Sequence, residues 1–186
     1  MAKQFLLVAV LGISIVVPPL LFAGENKTPV ITEGLGTGDI VVGRSNADDV
    51  ISKYGKKYAL ENNEGYSSQL TYKKSGLSFY YCANDSAKKI FLIEFKKGST
   101  AKGIIVGKSR LKDLSELYGE PAEIGQSEGF WIYQYTGIQF YFRILPGNKK
   151  DEEDSVSSDA RITDADVVPN DTPSNFCDDS VKASRG

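Results

Sequence analysis

The chain has 186 residues, 22 Lys and Arg against 24 Asp and Glu, and a formal net charge of −2. That length allows one large domain or two small ones. A slightly acidic chain without a basic stripe excludes the usual nucleic-acid binders, and the absence of any histidine excludes Ser-His-Asp and Cys-His chemistry and histidine-containing zinc sites.

In chain order, residues 1–23 read as a secretory signal. Lys3 gives a positive start, residues 5–17 are apolar, Pro18 and Pro19 follow, and a cut after Ala23 is expected. A secreted or periplasmic mature protein with no stable membrane span follows. No Cys directly follows the apolar run, which gives no support for lipid attachment there. Residues 24–37 read as a Gly- and Thr-containing linker. The run Gly34-Leu35-Gly36-Thr37-Gly38 lacks the preceding strand and the Lys-Ser/Thr pair of a phosphate loop. Asn26, Asn84 and Asn170 each begin a glycosylation acceptor pattern.

A repeat organises the remainder. Residues 40–55, IVVGRSNADDVISKYG, return 64 positions later as residues 104–119, IIVGKSRLKDLSELYG. Gly43 and Gly107 end an apolar run where the backbone turns freely. Ser45 and Ser109 are expected as helix N-caps, with Ser45 and Asp48 forming a capping box. Asp49 and Asp113 suit the positive end of a helix dipole. Val50, Ile51 and Tyr54 form one apolar stripe, and Leu111, Leu114, Leu117 and Tyr118 form the other. Gly55 and Gly119 are C-terminal stop signals. Each copy therefore predicts one helix of about nine residues, too short to be stable unpacked.

A hairpin follows each helix. Residues 69–82, QLTYKKSGLSFYYC, align with residues 130–143, FWIYQYTGIQFYFR, with Tyr72 on Tyr133, Gly76 on Gly137, Phe79 on Phe140 and Tyr80 on Tyr141. Ser75-Gly76 and Thr136-Gly137 read as two-residue turns. Alternation then puts Leu70, Tyr72, Leu77, Phe79 and Tyr81 inside, together with Trp131, Tyr133, Tyr135, Ile138, Phe140 and Phe142. The opposite, outer face carries Gln69, Thr71, Lys73, Ser78, Tyr80 and Cys82 in the first hairpin, and Phe130, Ile132, Gln134, Gln139, Tyr141 and Arg143 in the second. Residues 90–95, IFLIEF, are expected as a third strand at the centre of a sheet, and residues 161–168 as its counterpart. The acidic run at 146–159 reads as a solvated loop, because Asp151, Glu152, Glu153 and Asp154 lack a calcium-ligand spacing with a turn-making Gly. Residues 169–186 read as a polar tail.

The expected class is therefore α+β: two tandem units, residues 38–97 and 98–168, each a short helix on an antiparallel hairpin within a sheet of three to four strands. Cys82 and Cys177 are the only cysteines, and in an oxidising compartment they are the candidates for a disulfide.

The pattern Ile-x-Val-Gly-x-Ser, helix, Tyr-Gly, then Tyr-x-x-x-Gly-Ile/Leu-x-Phe-Tyr resembles two related groups. One is the tandem-repeat β-lactamase-inhibitor proteins; the other is the small outer-membrane lipoproteins that support β-barrel assembly. The resemblance covers residues 38–168. It implies helical segments on antiparallel sheets that join into a curved surface gripping a protein partner. No cofactor, metal or catalytic residue is expected. The functional reading is a secreted or periplasmic, non-catalytic protein-binding module, inhibitor-like in style, using the outer sheet face. Its candidate contact residues are Tyr80, Thr71, Phe130, Ile132, Tyr141 and Arg143, a set containing aromatic and Arg types enriched at binding hot spots. Two alternatives remain: an envelope-associated structural or assembly component, and a hydrolase using the paired carboxylates Asp49 and Asp113.

Overall fold

The computed structural model describes residues 28–63, 66–127, 129–144, 156–170 and Cys177. The predicted signal segment, Asn26, Asp151 to Asp154 and most of the tail lie outside the described residues. Among the described residues no helix is long and apolar enough to cross a membrane.

Strands β1 (Val30–Ile31), β2 (Gly36–Thr37) and β3 (Ile40–Val41) precede helix α1 (Ala47–Tyr54). Strands β4 (Ala59–Asn63), β5 (Ser67–Tyr72), β6 (Leu77–Cys82), β7 (Ile90–Phe95) and β8 (Ser99–Thr100) follow. Helix α2 (Leu111–Tyr118) then leads into β9 (Glu123–Ser127), β10 (Phe130–Tyr135), β11 (Ile138–Arg143) and β12 (Ile162–Val167).

The architecture corrects the expected class. Among the described residues the protein is mostly β: one eight-stranded antiparallel sheet, in the order β4-β5-β6-β7-β12-β11-β10-β9, with two eight-residue helices. It is not a pair of helix-on-hairpin units. The reason lies at the centre, where β7 pairs with β12 through Phe95 with Ala165, Glu94 with Asp166, and Ile93 with Val167. Both strands are paired on each side and covered on the face carrying Ile93, Phe95, Ala165 and Val167, so neither half ends in a free third strand. The edges extend further than expected too, through β4 and β9.

The short strands before α1 are part of the structure. β1 runs parallel to β8 and β2 pairs with β3. Ile31, within the stretch read as linker, is fully buried. Gly34 N donates to Gly137 O at 2.9 Å, fastening this segment to the β10–β11 turn.

Helix capping also differs from expectation. The N-caps are Asn46 and Arg110, one residue after each serine. Asn46 Oδ1 accepts from Asp48 N and Asp49 N, and Asp49 Oδ2 accepts from Asn46 N at 2.8 Å. In α2, Asp113 Oδ2 accepts from Arg110 N at 2.8 Å, while the Arg110 side chain pairs with Asp159 at 2.9 Å. Ser45 and Ser109 instead close the preceding turns: their Oγ atoms accept from Val41 N and Ile105 N, each at 3.0 Å. A serine whose oxygen already serves the turn before it is displaced from the cap.

The β10–β11 hairpin has the predicted register, Tyr135 facing Ile138, Tyr133 facing Phe140 and Trp131 facing Phe142. The β5–β6 hairpin does not turn on two residues. Tyr72 faces Leu77, which leaves a four-residue loop at 73–76. Slipping by two keeps every side chain on its face but changes the correspondence: Tyr72 Oη donates to Gly55 O at 2.8 Å, as Tyr135 Oη does to Gly119 O at 3.1 Å. Tyr72 thus plays the part of Tyr135, not Tyr133.

The core lies between the inner sheet face and the helices. Tyr54 packs on Tyr72 and Phe79 with ring centroids 5.4 and 5.3 Å away, and Tyr118 on Tyr135 and Phe140 at 5.3 Å each. Phe79, Phe95, Phe140 and Phe142 are fully buried, each contributing roughly 2–3 kcal/mol of transfer free energy. Cys82 and Cys177 form a disulfide with Cα atoms 5.3 Å apart, tying Cys177 to the end of β6.

Candidate functional site

Both helices pack on the inner face, so the outer face of the sheet is the surface where the candidate residues stand. Tyr80 pairs across strands with Gln69, Thr71 with Ser78, Ile132 with Tyr141, and Phe130 with Arg143. The structure divides the six candidates into two groups. Phe130 and Tyr141 meet edge to face at 6.3 Å, with the Arg143 guanidinium 5.7 Å over the Phe130 ring and Ile132 alongside. Across the sheet, Tyr80 lies 6.4 Å from Phe91. Thr71 belongs to a cleft lined by Gln69, Ser78 and the lysines 73, 96 and 97.

Between the two groups is a pair of acids that the sequence reading did not single out. Glu94 and Asp166 face each other across the central β7–β12 ladder. Each holds a tyrosine: Tyr80 Oη donates to Glu94 Oε2 at 3.1 Å, and Tyr141 Oη lies 2.7 Å from Asp166 Oδ2. Glu94 also has Lys96 Nζ at 3.5 Å. Directly opposed carboxylates repel, and Asp166 is only 9% exposed. Burial, reinforced by the charges of Glu94 and Asp164, pushes the Asp166 carboxyl up to about 7, against the opposing hydrogen bond from Tyr141. The phenols of Tyr80 and Tyr141 are pushed far above their ordinary value by burial first and by these acids second. They stay neutral and act as donors.

Donor counting sharpens the picture. Tyr141 Oη also lies 3.0 Å from Gln139 Oε1, yet a phenol has one hydrogen. Two arrangements satisfy both contacts. In one, Asp166 is protonated and donates to Tyr141, which donates to Gln139. In the other, the Gln139 amide is turned so that its NH₂ donates to Tyr141, which donates to an ionised Asp166. In the first arrangement Gln139 Nε2 continues the chain to Gln134 Oε1 at 3.4 Å. The signal for this cluster was present in the strings IFLIEF and ITDADV: an acid at an alternate position inside a buried strand needs a partner.

The other acids have structural duties. Asp49 and Asp113 each accept their helix's N-cap amide, which accounts for their position without a reaction. Among the described residues no group of three His, Cys, Asp or Glu side chains could hold a metal ion.

The chain matches no family model and no curated protein. Among solved structures it is similar to a DUF4309 family protein from Bacillus subtilis, at 12% identity and a TM-score of 0.45. That alignment covers 73% of this chain and 88% of the other.

Proposed function

We propose that this chain is an exported, non-catalytic binding module that engages a protein partner with the outer face of its sheet. The observation that supports this reading is the division of labour between the faces. The inner face is spent on the two helices and the core. The outer face keeps half-buried Tyr80, Phe130, Ile132 and Tyr141 and the exposed Arg143. Aromatic rings and an arginine presented on a sheet supply apolar area and directional hydrogen bonds.

The test uses the mature, oxidised chain as bait in the envelope fraction and culture medium of its source. Ser is placed at Phe130 and Ile132 in one variant and Ala at Arg143 in another. The expected result is a saturable partner held by the parent chain and lost by both variants, with unchanged melting curves. Equal capture by parent and variants, or unfolding of both variants, contradicts the reading. An inhibitor-like role adds one expectation: the captured partner loses activity when bound.

A further inference from the structure

The cleft beside Thr71 has a volume of about 380 Å³, within the range of roughly 300–1,000 Å³ typical of small-molecule sites. It opens on the outer side of β5 and β6, next to the loop at 73–76. Two hydroxyls stand across from each other on its floor, Thr71 on β5 and Ser78 on β6. Ser78 is 3% exposed, and its Oγ makes no hydrogen bond among the described residues. Among the described residues no fully enclosed side-chain polar atom lacks a partner, so the Ser78 hydroxyl is one that the cleft reaches. Thr71 Oγ1 accepts from Gln69 Nε2 at 2.9 Å, which leaves its own hydrogen to donate. A water on that hydroxyl can be exchanged for a ligand oxygen at little cost.

The rim sets the charge of that something. Lys73, Lys96 and Lys97 line the cleft with Glu61, and a second acid, Glu94, faces Ser78 across the β6–β7 ladder. Lys96 Nζ lies 3.5 Å from Glu94 Oε1, and Lys97 Nζ donates to Lys74 O, a neutral acceptor that leaves its charge in place. Two neighbouring hydroxyls and three lysines lining one cleft are complementary to an oxyanion.

We infer that this cleft binds a small organic anion through a carboxylate or phosphate group, with Thr71 and Ser78 donating to its oxygens and Lys73, Lys96 and Lys97 supplying the charge. Glu61 at the mouth is placed to accept from a hydroxyl or ammonium elsewhere on the same ligand. This site is separate from the Phe130–Arg143 surface, so either reading can fail alone.

The test is a titration of the isotope-labelled, oxidised chain by nuclear magnetic resonance. Inorganic phosphate and acetate are the two probes, with chloride at matched ionic strength as the reference. Saturable shifts of the Thr71, Ser78 and Lys97 amides with phosphate or acetate, absent with chloride, are expected. The probe that binds more tightly identifies the group. Ser78→Ala and Lys73→Gln should each weaken binding about fivefold or more while leaving the melting curve in place. Thr71→Val serves as a second floor variant should Ser78→Ala fold poorly. Shifts no different from those in chloride, or parent-like affinity in the floor and rim variants, would overturn the assignment.

Discussion

Asp166 has a charge state set by its place in the sheet. Its folded carboxyl titrates near 7, well above an unfolded aspartate at about 4. Between those values the folded chain binds the proton and the unfolded chain does not. This group's stabilising contribution is therefore complete below about pH 4 and is lost as pH rises through about 7. The span is worth up to a few kcal/mol. Urea midpoints of the parent and Asp166→Asn at pH 4.5 and 7.5 isolate it. The parent should lose stability relative to the variant as pH rises; parallel behaviour would contradict the assignment. A second contrast concerns the two hairpin glycines. Gly76 and Gly137 both have positive φ, +66° and +73°. A Cβ on Gly76 meets only the flexible Lys97 side chain, whereas on Gly137 it comes within 2.4 Å of the Gly34 backbone N. Gly76→Ala should cost about 1 kcal/mol, and Gly137→Ala clearly more, read from denaturant midpoints.

At the scale of the element, the two helices differ in how they begin. The Asn46 side chain caps two amides, but that of Arg110 lies on Asp159 at a half-exposed site. Asn46→Ala should therefore cost about 1 kcal/mol and Arg110→Ala less than about 0.5 kcal/mol. Comparable losses in both would show that the caps are not as described. The helices, β7 and the β10–β11 register were legible because each is written in local spacing: an apolar stripe at 3.6, alternation at 2, a Gly after the last turn. The true caps were not, because a single string does not reveal that Ser45 and Ser109 already close the turns before them. The loop at 73–76 was misread for a similar reason. Aligning Gly76 with Gly137 imposed a two-residue turn, while the hydrogen bond from Tyr72 to Gly55 selects a register two residues away. The edge strands β4, ALENN, and β9, EIGQS, escaped notice because both are mostly exposed and carry no alternation.

For the whole molecule, the decisive event is the pairing of β7 with β12, which no local pattern encodes. Phe95, Ile93, Ala165 and Val167 are all fully buried on the inner side of that junction, and Glu94 and Asp166 oppose each other on the outer side. A contact between strands about 70 residues apart is a tertiary fact; IFLIEF is too apolar to stand at an edge, but ITDADV carries two aspartates and gives no such signal. The Cys82–Cys177 link spans 95 positions and acts at the same scale. In the chain-entropy view, cutting it should lower stability by about 4–5 kcal/mol. Cys82→Ser should thus shift the denaturant midpoint strongly downward, and an unmoved midpoint would show that the link does not constrain the unfolded chain.

Residue-resolved hydrogen exchange across β7 and β12 tests the single sheet most directly. Because these strands are central to one cooperative sheet, the ladder amides of Ile93 to Phe95 and Ala165 to Val167 should be among the slowest in the chain and exchange only through global unfolding. Fast exchange at those amides, while β5–β6 and β10–β11 stay protected, would mean two separate sheets and would contradict the account.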